Sequence, residues 1–104
     1  MAQFDLFANP IPSARGAYPF VVVLQSDLAD GGRDRIVAPL APRAALAPVA
    51  GRLTPVVSLD DTEYVVLVPG LAGVRQRDLR DRVGTLEGAR EPLLAAIDYL
   101  FFGV

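Results

Sequence analysis

The chain of 104 residues contains no cysteine, no histidine, no tryptophan and no lysine. Without cysteine there are no disulfides, thiol nucleophiles or thiolate metal sites. Without histidine the commonest general base, the Ser-His-Asp arrangement and most zinc sites fall away. Any catalysis would run on Asp, Glu, Arg, Tyr, Ser or Thr, which disfavours an enzyme without excluding one. All ten basic residues are Arg, a usage that fits GC-rich coding, and twelve acidic residues leave a net charge of −2. Proteins whose main task is gripping phosphate backbones carry a basic excess instead. Long apolar runs are also missing. A run such as Phe20-Val21-Val22-Val23-Leu24 falls far short of the ~20 residues of a membrane helix. The first residues, Met1 to Leu6, bring an early acid and no basic segment, so they do not read as a signal peptide. The expectation is a cytoplasmic protein.

What is present is apolar: 52% of the chain, enough to argue against disorder. The length fits a single domain spanning residues 1–104, with one core and about 65% of the unfolded surface buried. Gln3 to Phe7 alternates, with Phe4 and Leu6 on one face, and reads as a first strand. Asn9-Pro10, Pro12-Ser13 and Gly16 mark an exposed loop. Phe20 to Gln25 reads as a strand buried on both faces. Ser26-Asp27 and Asp30-Gly31-Gly32 read as a turn. Arg35 to Ala38 resumes a strand that Pro39 ends or edges. Residues 43–47 suit one helical turn, limited by Pro42 and Pro48. Val56 to Leu59, turn residues Asp60-Asp61-Thr62 and Glu63 to Val68 read as a hairpin stopped by Pro69-Gly70. From Arg90 onward the period becomes helical, with a stripe of Leu93, Ile97, Leu100 and Val104, and Leu94 and Phe101 beside it. Pro92 suits the first turn of that helix. The sum is about five short, mostly antiparallel strands and a C-terminal helix, a small β-rich α+β domain. Linear order leaves open whether the sheet is flat or rolled.

Three constellations could carry chemistry. Asp60, Asp61 and Glu63 could offer carboxylates to a metal, but Asp also suits a hairpin turn for conformational reasons, and the turn is the preferred reading. Arg75, Arg77, Arg80 and Arg82 alternate with Asp78 and Asp81, which reads as a solvated, mutually compensated face rather than a phosphodiester-handling site. The last six residues, Tyr99-Leu100-Phe101-Phe102-Gly103-Val104, are apolar where a chain end is usually polar and frayed. Part of this segment docks into the core. Phe102 lies off the buried stripe, so the end also reads as a probe for a partner's pocket.

The order and spacing of Gln3-Phe4, Gln25-Ser26-Asp27, Val37-Ala38-Pro39-Leu40-Ala41, Pro55-Val56-Val57, Ala96-Ile97 and Phe101-Phe102-Gly103-Val104 resemble the CcdB family, nearly end to end. These are toxins of CcdA–CcdB toxin–antitoxin modules. The resemblance implies a small SH3-like barrel of the CcdB/MazF type with a C-terminal helix, assembled as a symmetric homodimer. It implies a toxin that is not an enzyme and needs no cofactor or metal: it binds the gyrase A subunit and traps gyrase on cleaved DNA. It further implies neutralisation by a disordered segment of a CcdA-like antitoxin, and repression of the operon by the toxin–antitoxin complex, through which alone the toxin meets DNA. The family's gyrase contacts fall on Phe102, Gly103 and Val104, with Asp98, Leu28, Ala29, Ser26, Gln3 and Phe4.

The chain departs from the family at three places. The best-known form carries Trp at the position of Phe102; Phe keeps a ring and loses the N–H donor. Asp98 stands where Asn is frequent, and Val23 where a family Asp falls. Two alternatives follow: an endoribonuclease of the MazF/Kid type on the same fold, using residues such as Asp60, Asp61 or Arg75, or a drifted homologue that binds an antitoxin without poisoning gyrase.

Overall fold

The computed structural model describes residues 1–29, 32–46 and 51–104. It contains strands β1 (Asp5–Ala8), β2 (Phe20–Val23), β3 (Asp34–Pro42), β4 (Val56–Leu59), β5 (Thr62–Val66), β6 (Ala72–Arg75) and β7 (Arg82–Thr85), then helix α1 (Arg90–Phe102). All strand pairs are antiparallel, in the order β4-β5-β3-β2-β1-β7, with β6 also on β3. The sheet curls into a half-barrel that α1 closes over, so the small barrel-like α+β architecture implied by the family resemblance is the one found. β6 and β7 bring the strands among the described residues to seven, where the sequence suggested about five.

The core has two parts, one on each face of the curled sheet. On the helix side, Phe4, Leu6, Val22, Leu24, Leu40, Val66 and Val68 pack against Leu93 and Ala96 of α1. On the other side Phe7, Val21, Val23 and Val37 pack against Leu79. β2 is therefore buried on both faces, as its unbroken β-branched run requires. β1 is buried on both faces as well, which its alternation did not show, and it begins at Asp5 rather than Gln3. Phe4 sits at a positive φ of 68°, which ends extended pairing there, yet its ring and Leu6 still share the helix-side core.

β3 continues through Pro39 instead of ending at it. The Leu24 N–H donates to the Ile36 carbonyl (2.9 Å), and Val21 lies opposite Pro39. On the β2 side Pro39 thus falls in a non-hydrogen-bonded pair, where no N–H is needed. On its other side β6 pairs only as far as Val37 and β5 begins at Leu40. The proline occupies the gap, and its carbonyl still accepts the Leu67 N–H (2.9 Å). A 3-10 turn at Val68–Gly70 carries the chain across that gap from β5 to β6.

The β4–β5 hairpin closes with two residues, since Leu59 pairs with Thr62. Asp60 and Asp61 both take positive φ, 48° and 66°. This is the left-handed pair a two-residue turn needs, and Asp tolerates it better than most residues. Among the described residues no group of three or more Asp or Glu side chains could hold a metal. The 43–47 turn is a 3-10 helix at Arg43–Ala45; Ala47, Pro48, Asp30 and Gly31 lie outside the described residues. Pro92 is in the first turn of α1. Val104 does not continue the helix stripe: α1 stops at Phe102, Gly103 turns left-handed (φ 72°), and Val104 is exposed. Among the described residues no helix is long and apolar enough to cross a membrane.

Candidate binding surface at the helix end

The end of α1 is set by backbone chemistry. Gly103 donates its N–H to the Tyr99 carbonyl (3.0 Å), and its left-handed conformation is the ordinary glycine cap that redirects a chain leaving a helix. Around that cap the apolar side chains stand exposed: Phe102 and Val104 are each 74% exposed and Phe101 is 61% exposed. Tyr99 is held more firmly, under the Arg52 guanidinium at 4.3 Å from the ring centroid. Asp98 is exposed one helical turn before Phe102 and shares its face.

The second element is the segment between β2 and β3. Ser26 organises it: its Oγ accepts the Leu28 N–H (3.1 Å) and its carbonyl accepts the Ala29 N–H (3.0 Å). The Ala29 carbonyl in turn accepts the Gln25 amide (2.6 Å). The result is a 3-10 turn, Asp27–Ala29, that holds Leu28 out with 99% of its surface exposed. Gln3 braces the turn. Its N–H donates to Asp27 Oδ1 (2.6 Å) and its side-chain amide donates to the Leu24 carbonyl (2.9 Å). Arg90 reaches Gln3 Oε1 (3.4 Å) and lies over the Phe4 ring, tying the start of α1 to the same corner.

The two elements meet. Ser26, Ala29 and Gln25 share an apolar groove of about 360 Å³ with Leu24, Ile36, Leu71, Ile97 and Phe101. The fold thus joins the turn carrying Ser26, Leu28 and Ala29 to the last turns of α1. Gln3 lies at the edge as a brace. Phe4 does not belong to the exposed surface: its side chain is fully buried, so any part it plays in recognition goes through the backbone and the position of Gln3. Val23 is also buried, in the apolar cluster of the opposite face. Sequence reasoning missed Ile36, Leu71 and Ile97 as groove walls. None of the three carried a signal of its own: Ile36 sits in a strand whose burial does not alternate, Leu71 follows the Pro69-Gly70 stop, and Ile97 belongs to the helix stripe.

These features define a small barrel-like domain whose most exposed large apolar side chains, Leu28, Phe101, Phe102 and Val104, lie at the helix end and the neighbouring turn, the anatomy of a protein-binding module. The chain belongs to the CcdB family, whose model, described as CcdB protein, matches residues 3–103. That family comprises toxins of toxin–antitoxin modules that act on gyrase. No individually curated protein matches the chain.

Proposed function

We propose that the protein poisons DNA gyrase by docking the exposed end of α1 and the turn at residues 26–29 on the gyrase A subunit, so that the enzyme is trapped on cleaved DNA. The observation that carries this reading is the joint exposure of Phe102, Val104 and Leu28 around a structured groove. Large apolar side chains held out by ordered backbone bury their area on a partner. Asp98 and the terminal carbonyls of α1 make this end negative, which suits a cationic patch on the target. The protein acts by binding, as a homodimer, and performs no catalytic step. A CcdA-like antitoxin neutralises it in the cytoplasm, and the two together repress their operon.

The test is a supercoiled-plasmid assay with the host's gyrase and ATP. The full-length chain is compared with one ending at Phe101. Linear DNA with the full-length chain alone supports the proposal. Linear DNA from the truncated chain, or none from the folded full-length chain, refutes it.

A further inference from the structure

The arginines and aspartates of residues 75–82 look mutually compensated in sequence, but the fold separates them. Asp78, Arg80 and Asp81 line one cleft with Arg15, and Arg82 pairs with Asp5 (3.1 Å). Arg75 and Arg77 line a different cleft of about 480 Å³, together with Arg33 and Gln76. Among the described residues no carboxylate lies within ion-pair distance of Arg33, Arg75 or Arg77. The acid opposite Arg75 across the β3–β6 pair is Asp34, and it does not close that distance.

The cleft rests on a fixed wall. Arg35 is 4% exposed. It donates from Nη1 to the Gly32 and Asp34 carbonyls (2.9 and 2.8 Å) and from Nη2 to Gln76 Oε1 (2.9 Å). The Gln76 N–H donates to the Arg33 carbonyl (2.7 Å). This buried guanidinium therefore clamps the start of β3 to the turn after β6 and sets the backbone that carries Arg33 and Arg77. Three guanidinium groups around one concavity repel each other, and an anion between them relieves that repulsion. A planar guanidinium fork matches phosphate oxygens in pairs.

We propose that this cleft, separate from the gyrase-directed surface and independent of that reading, binds a compact phosphate-bearing anion of about the size of pyrophosphate. Calorimetric titration of the full chain with inorganic pyrophosphate tests it, beside an Arg33→Gln/Arg77→Gln variant and an Arg15→Gln/Arg80→Gln control. The expected result is saturable binding that weakens with salt, falls about tenfold or more in the first variant and is nearly unchanged in the control. All four positions are solvent-accessible and circular dichroism checks the fold; Arg75→Gln alone serves if the double variant unfolds. Absence of saturable binding, or an equal loss in the control, overturns the proposal. So does a single-stranded oligonucleotide that needs the same arginines and is not displaced by pyrophosphate, because the ligand is then a polymer.

Discussion

Replacing Leu28 by Ala should separate recognition from folding more cleanly than any other substitution in the chain. With 99% of its surface in water, the side chain contributes almost no burial to the fold. The turn around it is held by Ser26 through backbone N–H groups that Ala retains. Folding stability should therefore move by less than about 0.5 kcal/mol, the ordinary range for a surface change. If Leu28 is buried on gyrase, the lost transfer free energy is about 2 kcal/mol, which is about 30-fold in Kd. Two measurements read the two quantities: the denaturant midpoint of the variant, and its affinity for a purified gyrase A subunit. The expected pair is an unchanged midpoint and an affinity lower by about 30-fold. An unchanged affinity would remove the 26–29 turn from the recognition surface. A shifted midpoint would mean that Leu28 packs against something in the free protein, which contradicts its exposure.

Other consequences follow from single features. Gly103→Ala puts a Cβ on a residue at φ 72° and should cost about 1 kcal/mol in thermal unfolding, while re-aiming Val104 and lowering the linear DNA formed in the plasmid assay by more than that loss accounts for. Burial of Asp5 raises its carboxyl pKa, but hydrogen bonds from the Ala2 N–H (2.8 Å) and Arg82 (3.1 Å), with the Arg82 charge, outweigh it and hold the pKa below its ordinary value. Its contribution is thus complete above the unfolded carboxyl pKa of about 3.9 and is lost as pH falls through the lowered folded value. Urea midpoints measured across that acidic range should fall less steeply for Asp5→Asn than for the parent, and parallel curves would contradict the pairing. Leu93, on the inner face of α1, is fully buried, so Leu93→Ala should cost about 2–5 kcal/mol in chemical unfolding; a smaller cost would mean that the helix is loosely docked.

The elements legible in the sequence were those whose pattern reflects burial. The β-branched run of β2 and the helical period of α1 each report a strand or helix packed on the core. The Asp60-Asp61 turn was legible for a different reason, because Asp suits left-handed backbone. β6 and β7 were not legible. Their sequences, Ala-Gly-Val-Arg and Arg-Val-Gly-Thr, bury no residue fully and place Gly where strands usually carry a β-branched residue. They are strands because β3 and β1 present unsatisfied edges to them, a reason that exists only in three dimensions. At the β1–β7 edge, Leu6 faces Gly84 while Phe7 faces Arg82. The extra residue, Val83, makes a bulge that bends the sheet edge and leaves Val83 half exposed.

The same limit governs the two surfaces. Phe102-Gly103-Val104 was legible because Phe102 falls off the buried stripe of α1 and Gly103 breaks the helix, both visible within a few residues of chain. The groove beside it was not, because Ile36, Leu71 and Ile97 come from three separate elements that only the curl of the sheet brings together. The arginine cleft is the stronger case. Residues 75–82 read in sequence as four Arg interleaved with two Asp, a partly compensated stretch, whereas the 3-10 turn at Gln76–Asp78 directs Arg75 and Arg77 to one cleft and Asp78, Arg80 and Asp81 to another. Compensation between charges decays with distance in space and with screening. Alternating signs in sequence therefore neutralise a surface only when the backbone keeps those residues on one face, and here a single turn of helix is enough to part them.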